Sequence, residues 1–250
     1  MPQVLNHPLI AQRYFFPTRI PFPNPFWVER EGVRLSCYFH HPLPGAPTVV
    51  HFHGNGEVVS DYLGDFLHIL ESLGANVFIA EYRGYSMSDG SPQLGEMLDD
   101  VVAMVNAIGE PAEKLIFFGR SVGSIFALEA AHRFPTAAGL ILESGIADPL
   151  ERILLRVSPG EMGTTLEQLQ LEVRQRLDHR AKIGGYGGPT LILHTRHDGL
   201  VDVSHGERLH AWAGGKKQLR VFANGNHNDI MLVNAAEYFE LVRKFVSEVS

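Results

Sequence analysis

The sequence predicts an α/β fold: a mainly parallel central sheet with helices on both faces, an N-terminal antiparallel hairpin and a small helical insertion. Three observations predict it. Strand-like and helix-like runs alternate through most of the chain. The strand-like runs are almost continuously apolar, as strands covered on both faces require. At 250 residues and 45% hydrophobic content the chain can bury one large core, so a single domain over 1–250 is expected.

Taken in order, the chain opens on an aromatic and proline-rich entry from Tyr14-Phe15-Phe16-Pro17 to Phe26-Trp27. Its recurring prolines exclude a regular helix, so it is expected to run extended along the domain surface. Runs 27–30 and 33–39 read as two strands joined by the turn pair Glu31-Gly32, an antiparallel hairpin at one sheet edge. Thr48-Val49-Val50-His51-Phe52 is a buried-type strand that ends in the glycine loop His53-Gly54-Asn55-Gly56, and helical spacing follows over 62–73. The same rhythm gives strand 76–80, helix 95–108, strand 114–118, helix 122–134 and strand 139–142.

Between Gly145 and Gly188 the rhythm breaks, and two amphipathic helices are expected as a lid-like insertion over 145–188. Asp148-Pro149 reads as an N-cap and first helical residue. Thr164-x-x-Glu167 reads as a capping box leading into Leu166, Leu169, Val173 and Leu177. Strand 190–193, helix 205–212, strand 218–222 and helix 235–249 complete the pattern, with no internal repeat or low-complexity tract.

A formal net charge of -7 and scattered basic residues give no electrostatic footprint for nucleic acid. The lone Cys37 excludes an intramolecular disulfide and reads as a small strand residue. No secretory leader pattern or span-length apolar stretch is present, so a cytoplasmic address without stable membrane insertion is expected, and oligomeric state is left open.

The chemistry concentrates in Gly119-Arg120-Ser121-Val122-Gly123, which follows the apolar run 115–118 and opens a helix. Glycines on both sides permit a turn sharp enough to lift the Ser121 hydroxyl above the sheet edge, which makes Ser121 the candidate nucleophile. Asp198 follows the strand ending near His194, at the edge where ligand-binding loops collect, and is the candidate acid. Asp202 competes with it but also fits as the N-cap of the next helix. His227 in Gly225-Asn226-His227-Asn228-Asp229 lies in the loop after the last strand and is the candidate base. Ser121, Asp198 and His227 stand in the chain order nucleophile, acid, base. The backbone N–H of Val122 is one expected oxyanion donor and Asn55 is expected to supply the second, its glycine loop letting the backbone approach the substrate.

His51-x-His53 and His194-x-x-His197 lack a third ligand, so no metal or other cofactor is expected. Arg120 reads as a buried cation needing a carboxylate such as Glu143. Met87, Met104 and Met162 could line an acyl site but read more simply as core filler.

These motifs resemble the α/β-hydrolase fold superfamily, most of all its compact serine esterase and thioesterase branch. The resemblance covers nearly the whole chain and also rests on Glu81-Tyr82-Arg83-Gly84-Tyr85-Ser86-Met87-Ser88. It implies hydrolysis of a small-molecule carboxylic ester or thioester through an acyl-serine intermediate. Acyl transfer, peptide hydrolysis and ligand binding without turnover are the alternatives. Similar proteins usually carry glycine where Ser86 stands and often proline where Asp202 stands, which leaves the turn geometry at both places open.

Overall fold

The computed structural model describes residues 3–249. Its strands are β1 (Phe26–Arg30), β2 (Val33–His40), β3 (Thr48–Phe52), β4 (Asn76–Ile79), β5 (Leu115–Arg120), β6 (Gly139–Glu143), β7 (Thr190–Thr195) and β8 (Lys217–Phe222). They form one eight-stranded sheet in the order β1-β2-β4-β3-β5-β6-β7-β8. β1 and β2 pair antiparallel, β2 joins β4 antiparallel, and every pairing from β4 to β8 is parallel. The hairpin turn has Glu31 at φ 52° and Gly32 at φ 76°, the doubly left-handed geometry that matches strand twist.

The helices are α1 (Pro8–Tyr14), α2 (Asp65–Ser72), α3 (Leu94–Ile108), α4 (Gly123–Arg133), α5 (Pro149–Leu154), α6 (Leu166–Arg176), α7 (His179–Gly185), α8 (Val203–Trp212), α9 (Ile230–Val233) and α10 (Ala235–Val249). Alternation along the strands divides the core between the two faces of the sheet. Val50 and Phe117 pack with Phe126 of α4 and Leu209 of α8, whereas Val49 and Phe118 pack with Phe66 of α2 and Val242 of α10. The continuous apolar runs therefore reflect burial on both sides, the pattern of a parallel sheet between helical layers.

Two local expectations change. The segment between β6 and β7 holds three α-helices, α5 to α7, because Asp178 accepts from Ala181 N and starts a further helix that uses Gly184 and Gly185 as its last residues. The capping box is set one residue later than expected. Thr165 caps α6 through Gln168 N, with Gln168 reaching back, so Leu166 becomes the exposed first residue while Leu169, Val173 and Leu177 face inward. Asp148-Pro149 starts α5 as expected. The proline-rich stretch is non-helical from Phe15 onward, but its first residue, Tyr14, closes helix α1, which starts at Pro8 with His7 as its cap.

The sheet positions the site through its connections. β3 continues into β4 on one side, while β5 lies on the other side of β3, so strand order reverses between β3 and β5. At such a reversal the loops after the two strands diverge and leave a crevice at their carboxyl ends. The Asn55 loop follows β3 and the Ser121 turn follows β5, so both border that crevice.

Candidate active site

Ser121 sits in the turn from β5 to α4 at φ 52°, a left-handed conformation unusual for a residue with a Cβ. Ser121 N donates to Glu143 O of β6 at 2.8 Å and Ser124 N to Ser121 O at 3.0 Å, fixing the turn between strand and helix. The flanking glycines are demanded by close approach. A Cβ on Gly119 would come within 2.6 Å of Gly123 O, and one on Gly123 would overlap the Phe52 carbonyl of β3. Gly123→Ala is therefore expected to destabilise the fold by about 3 kcal/mol or more through overpacking against backbone. Chemical denaturation measures this, and an unfolding midpoint equal to wild type would mean that the β5–α4 turn can move away from β3.

The other two candidate residues converge on Ser121 from β7 and β8. His227 Nε2 lies 2.8 Å from Ser121 Oγ, and His227 Nδ1 lies 2.8 Å from Asp198 Oδ2. An ionised carboxylate can only accept, so Nδ1 carries the proton and Nε2 accepts from the Ser121 hydroxyl. Burial pushes the Asp198 pKa up. The hydrogen bond from His227 and those from Val201 N and Leu200 N outweigh burial and hold the pKa down at about 2. Asp202, the rival acid, caps α8 through Ser204 N instead. Its φ of -52° is one that proline also adopts, so a capping aspartate stands there without strain.

Arg120 joins the parts of this arrangement. Its guanidinium pairs with Glu143 at 3.0 Å and with Glu57, and donates to His227 O at 3.0 Å. Glu57 also accepts from Gly54 N at 2.6 Å, so one half-buried cation ties the β3 loop, the Ser121 strand and the His227 loop together. The Glu143 partnership was legible in the sequence. The Glu57 and His227 contacts were not, because they join loops distant in the chain.

Behind the β3 loop lies a second buried network. Both ring nitrogens of His53 face acceptors, Gly54 O at 2.9 Å and Glu81 Oε1 at 2.8 Å. Burial disfavours charge on this ring, but Glu81 outweighs it and raises the His53 pKa. Glu81 also accepts from Val59 N, Tyr82 N and Ser86 Oγ, the last at 2.5 Å. Ser86 holds φ 44°, where glycine would be unstrained, and its hydroxyl bond to Glu81 offsets that strain. Glu81→Ala would leave the Val59 and Tyr82 amides, the Ser86 hydroxyl and one His53 ring nitrogen without their shared partner, so a loss of about 3–5 kcal/mol is expected in urea unfolding. An unchanged midpoint would show that this network does not support the loop.

Asn55 borders the site, but its side chain is occupied elsewhere. Its Nδ2 donates to Tyr14 O, and its Oδ1 accepts from Phe16 N at 3.1 Å and Tyr85 Oη at 3.2 Å. The side chain thus clamps the N-terminal segment, leaving the backbone N–H as the group that can face a ligand. Val122 also borders the site.

A cavity of about 170 Å³ opens beside Ser121. Its walls include Tyr14 and Phe16 from the N-terminal segment, Arg152 of α5 and Arg156 just beyond it, and Leu200. Sequence reading missed the first four, since a site wall made by two distant segments has no local signature. Arg13 and Arg156 donate reciprocally to each other's carbonyl oxygens, each at 2.7 Å, which joins the two segments. Met87, Met104 and Met162 do not line this cavity, and Met104 and Met162 belong to the core. Among the described residues no helix is long and apolar enough to cross a membrane.

Residues 45–181, just over half of the chain, match the family model described as serine aminopeptidase, S33. Alpha/beta hydrolase domain-containing protein 17C of Xenopus tropicalis is 29% identical over 230 residues, covering 88% of this chain and 68% of that protein. Alpha/beta hydrolase domain-containing protein aho-3 of Caenorhabditis elegans is 29% identical over 226 residues, covering 87% and 63% respectively. Among solved structures, ferulic-acid-bound Est1E from Butyrivibrio proteoclasticus matches 90% of this chain and 98% of its own with a TM-score of 0.72. At 18% identity that likeness concerns the fold alone.

Proposed function

The chain belongs to the serine aminopeptidase, S33 family of α/β hydrolases, and from that premise we propose that it cleaves a carboxylic ester or thioester through an acyl-serine intermediate. The observation that carries the reading is the unbroken line of hydrogen bonds from Ser121 Oγ through His227 to Asp198, each 2.8 Å long.

In the proposed sequence, Ser121 Oγ attacks the substrate carbonyl as His227 Nε2 takes its proton. Asp198 holds the imidazole in the required tautomer and stabilises its charged form. The backbone N–H groups of Val122 and Asn55 receive the negative oxygen of the tetrahedral intermediate. His227 then returns the proton to the departing alcohol or thiol. Water, deprotonated by the same nitrogen, attacks the acyl carbon, and His227 returns that proton to Ser121 Oγ as the ester bond to the enzyme breaks and the acid leaves. Helices α5 to α7 and the N-terminal segment together act as the lid over this site, within one domain.

A second reading, peptide hydrolysis, is favoured by the family description. An enzyme that recognises a free α-ammonium needs a negative anchor, and the residues bordering the cavity include Arg152 and Arg156 but no carboxylate. That charge favours esters and thioesters over free amino termini. Hydrolysis of 4-nitrophenyl acetate, butyrate and octanoate, of matched thioesters and of aminoacyl anilides tests the choice. Saturable release from an ester or thioester that exceeds anilide cleavage is expected. Faster anilide cleavage would transfer the reading to the peptidase class.

A further inference from the structure

The cavity beside Ser121 is lined by three arginines of unequal standing. Arg120 is neutralised by Glu57 and Glu143. Arg156 donates to Arg13 O and lies over the rings of Tyr14, at 5.2 Å, and Phe16, at 5.8 Å. Arg152 differs from both. It is half-buried, and among the described residues its guanidinium has no hydrogen bond or ion pair. The carboxylate of the adjacent Glu151 is turned toward Arg208 and His205, at 3.3 Å and 3.5 Å.

The Arg152 nitrogens are not among the buried unpartnered atoms, so the guanidinium is open to a ligand. An unpaired guanidinium on a cavity with no carboxylate among its lining residues is a receptor for an oxyanion.

The apolar parts of Tyr14 and Arg152 also border a smaller, wholly apolar cavity of about 30 Å³ that shares Val122 and Ile146 with the first. Arg152 therefore lies between the space that opens on Ser121 and the apolar space behind it.

We propose that this cavity selects esters or thioesters carrying an anionic group, which the Arg152 guanidinium binds while the carbonyl is presented to Ser121. The assignment rests on the serine-hydrolase reading above. The planar fork of arginine suits a carboxylate or a phosphate, and the shared feature is an oxyanion a few bonds from the scissile carbonyl.

Two matched pairs of substrates test it and separate the sides on which the anion is carried. 4-Nitrophenyl hydrogen glutarate against its methyl-capped ester places the charge on the acyl part. 4-Acetoxybenzoate against methyl 4-acetoxybenzoate places it on the leaving group. The quantity read is the ratio of kcat/KM for the charged ester to that for its neutral partner. In wild type one pair is expected to favour the charged ester about tenfold. Arg152→Gln should lower that ratio about tenfold, and Arg152→Lys should recover part of it. Arg243→Gln, at a distant exposed site, should leave the ratio as in wild type.

A ratio indifferent to Arg152→Gln, or a wild-type preference for both neutral esters, would overturn the anion site. Covalent labelling of Ser121 by a fluorophosphonate separates two kinds of failure. A labelled wild type that cleaves neither charged ester contradicts the anion site alone, whereas a folded wild type that is neither labelled nor active contradicts the serine-hydrolase reading as well.

Discussion

Replacing Ser121 with alanine is expected to lower kcat for any ester substrate by about 10⁴ to 10⁶-fold, down to what the remaining binding groups supply. The side chain's hydrogen bond is to His227, and the turn that carries it is held by backbone bonds to Glu143 and Ser124. Alanine at φ 52° bears the strain that serine already bears, so folding stability should change by less than about 1 kcal/mol. Steady-state kinetics and urea unfolding on the same preparation check both parts. A folded Ser121→Ala protein with undiminished turnover would remove the proposed mechanism.

Asp198→Asn carries the second largest expected effect, a loss of roughly 10⁴ in kcat. The amide would present N–H to His227 Nδ1 and favour the tautomer with its proton on Nε2. An Nε2 that already bears a proton cannot take one from Ser121. The same substitution has a pH signature. Asp198 has a pKa of about 2 in the folded protein and close to 3.8 when unperturbed. A depressed carboxylate pKa stabilises the fold above the unfolded value, and that stabilisation is lost as pH falls through the folded value. The difference amounts to about 2 kcal/mol between pH 5 and pH 2, and the Asn variant should lack this component of acid destabilisation. Measuring unfolding free energy across that window, together with kcat, distinguishes a positioning carboxylate from a merely buried one. Wild-type kcat in the variant would place the acid function elsewhere.

The residues that sequence reading brought together were those with a local signature. The Ser121 turn announces itself because glycines 119 and 123 answer a steric demand that strand and helix impose within a few residues. Asp198 and His227 could be chosen because a parallel sheet sends every loop after a strand to the same edge. The sheet itself was legible for the same reason, since continuous apolar runs report burial on both faces.

What escaped depends on tertiary neighbours. Thr164 and Thr165 can each cap a helix, and in the fold it is Thr165 that does so, with Gln168 reaching back to it. The task of the Asn55 side chain is invisible in the sequence, because the N-terminal segment that claims its hydrogen-bonding atoms lies across it only in the fold. Arg152 gave no signal because its meaning lies in the carboxylate it lacks, which no spacing encodes. Ser86 is the intermediate case. The departure from glycine was visible, whereas the Glu81 oxygen that offsets its strained backbone came into view only with the fold.

The central claim is that His227 activates Ser121 as a nucleophile. Intact mass after exposure to a fluorophosphonate probe tests it most directly, using wild type, Ser121→Ala and His227→Ala. The account predicts a single adduct on wild type, none on Ser121→Ala and slow modification of His227→Ala. A folded wild type that remains unmodified, or an adduct that persists in Ser121→Ala, would contradict it.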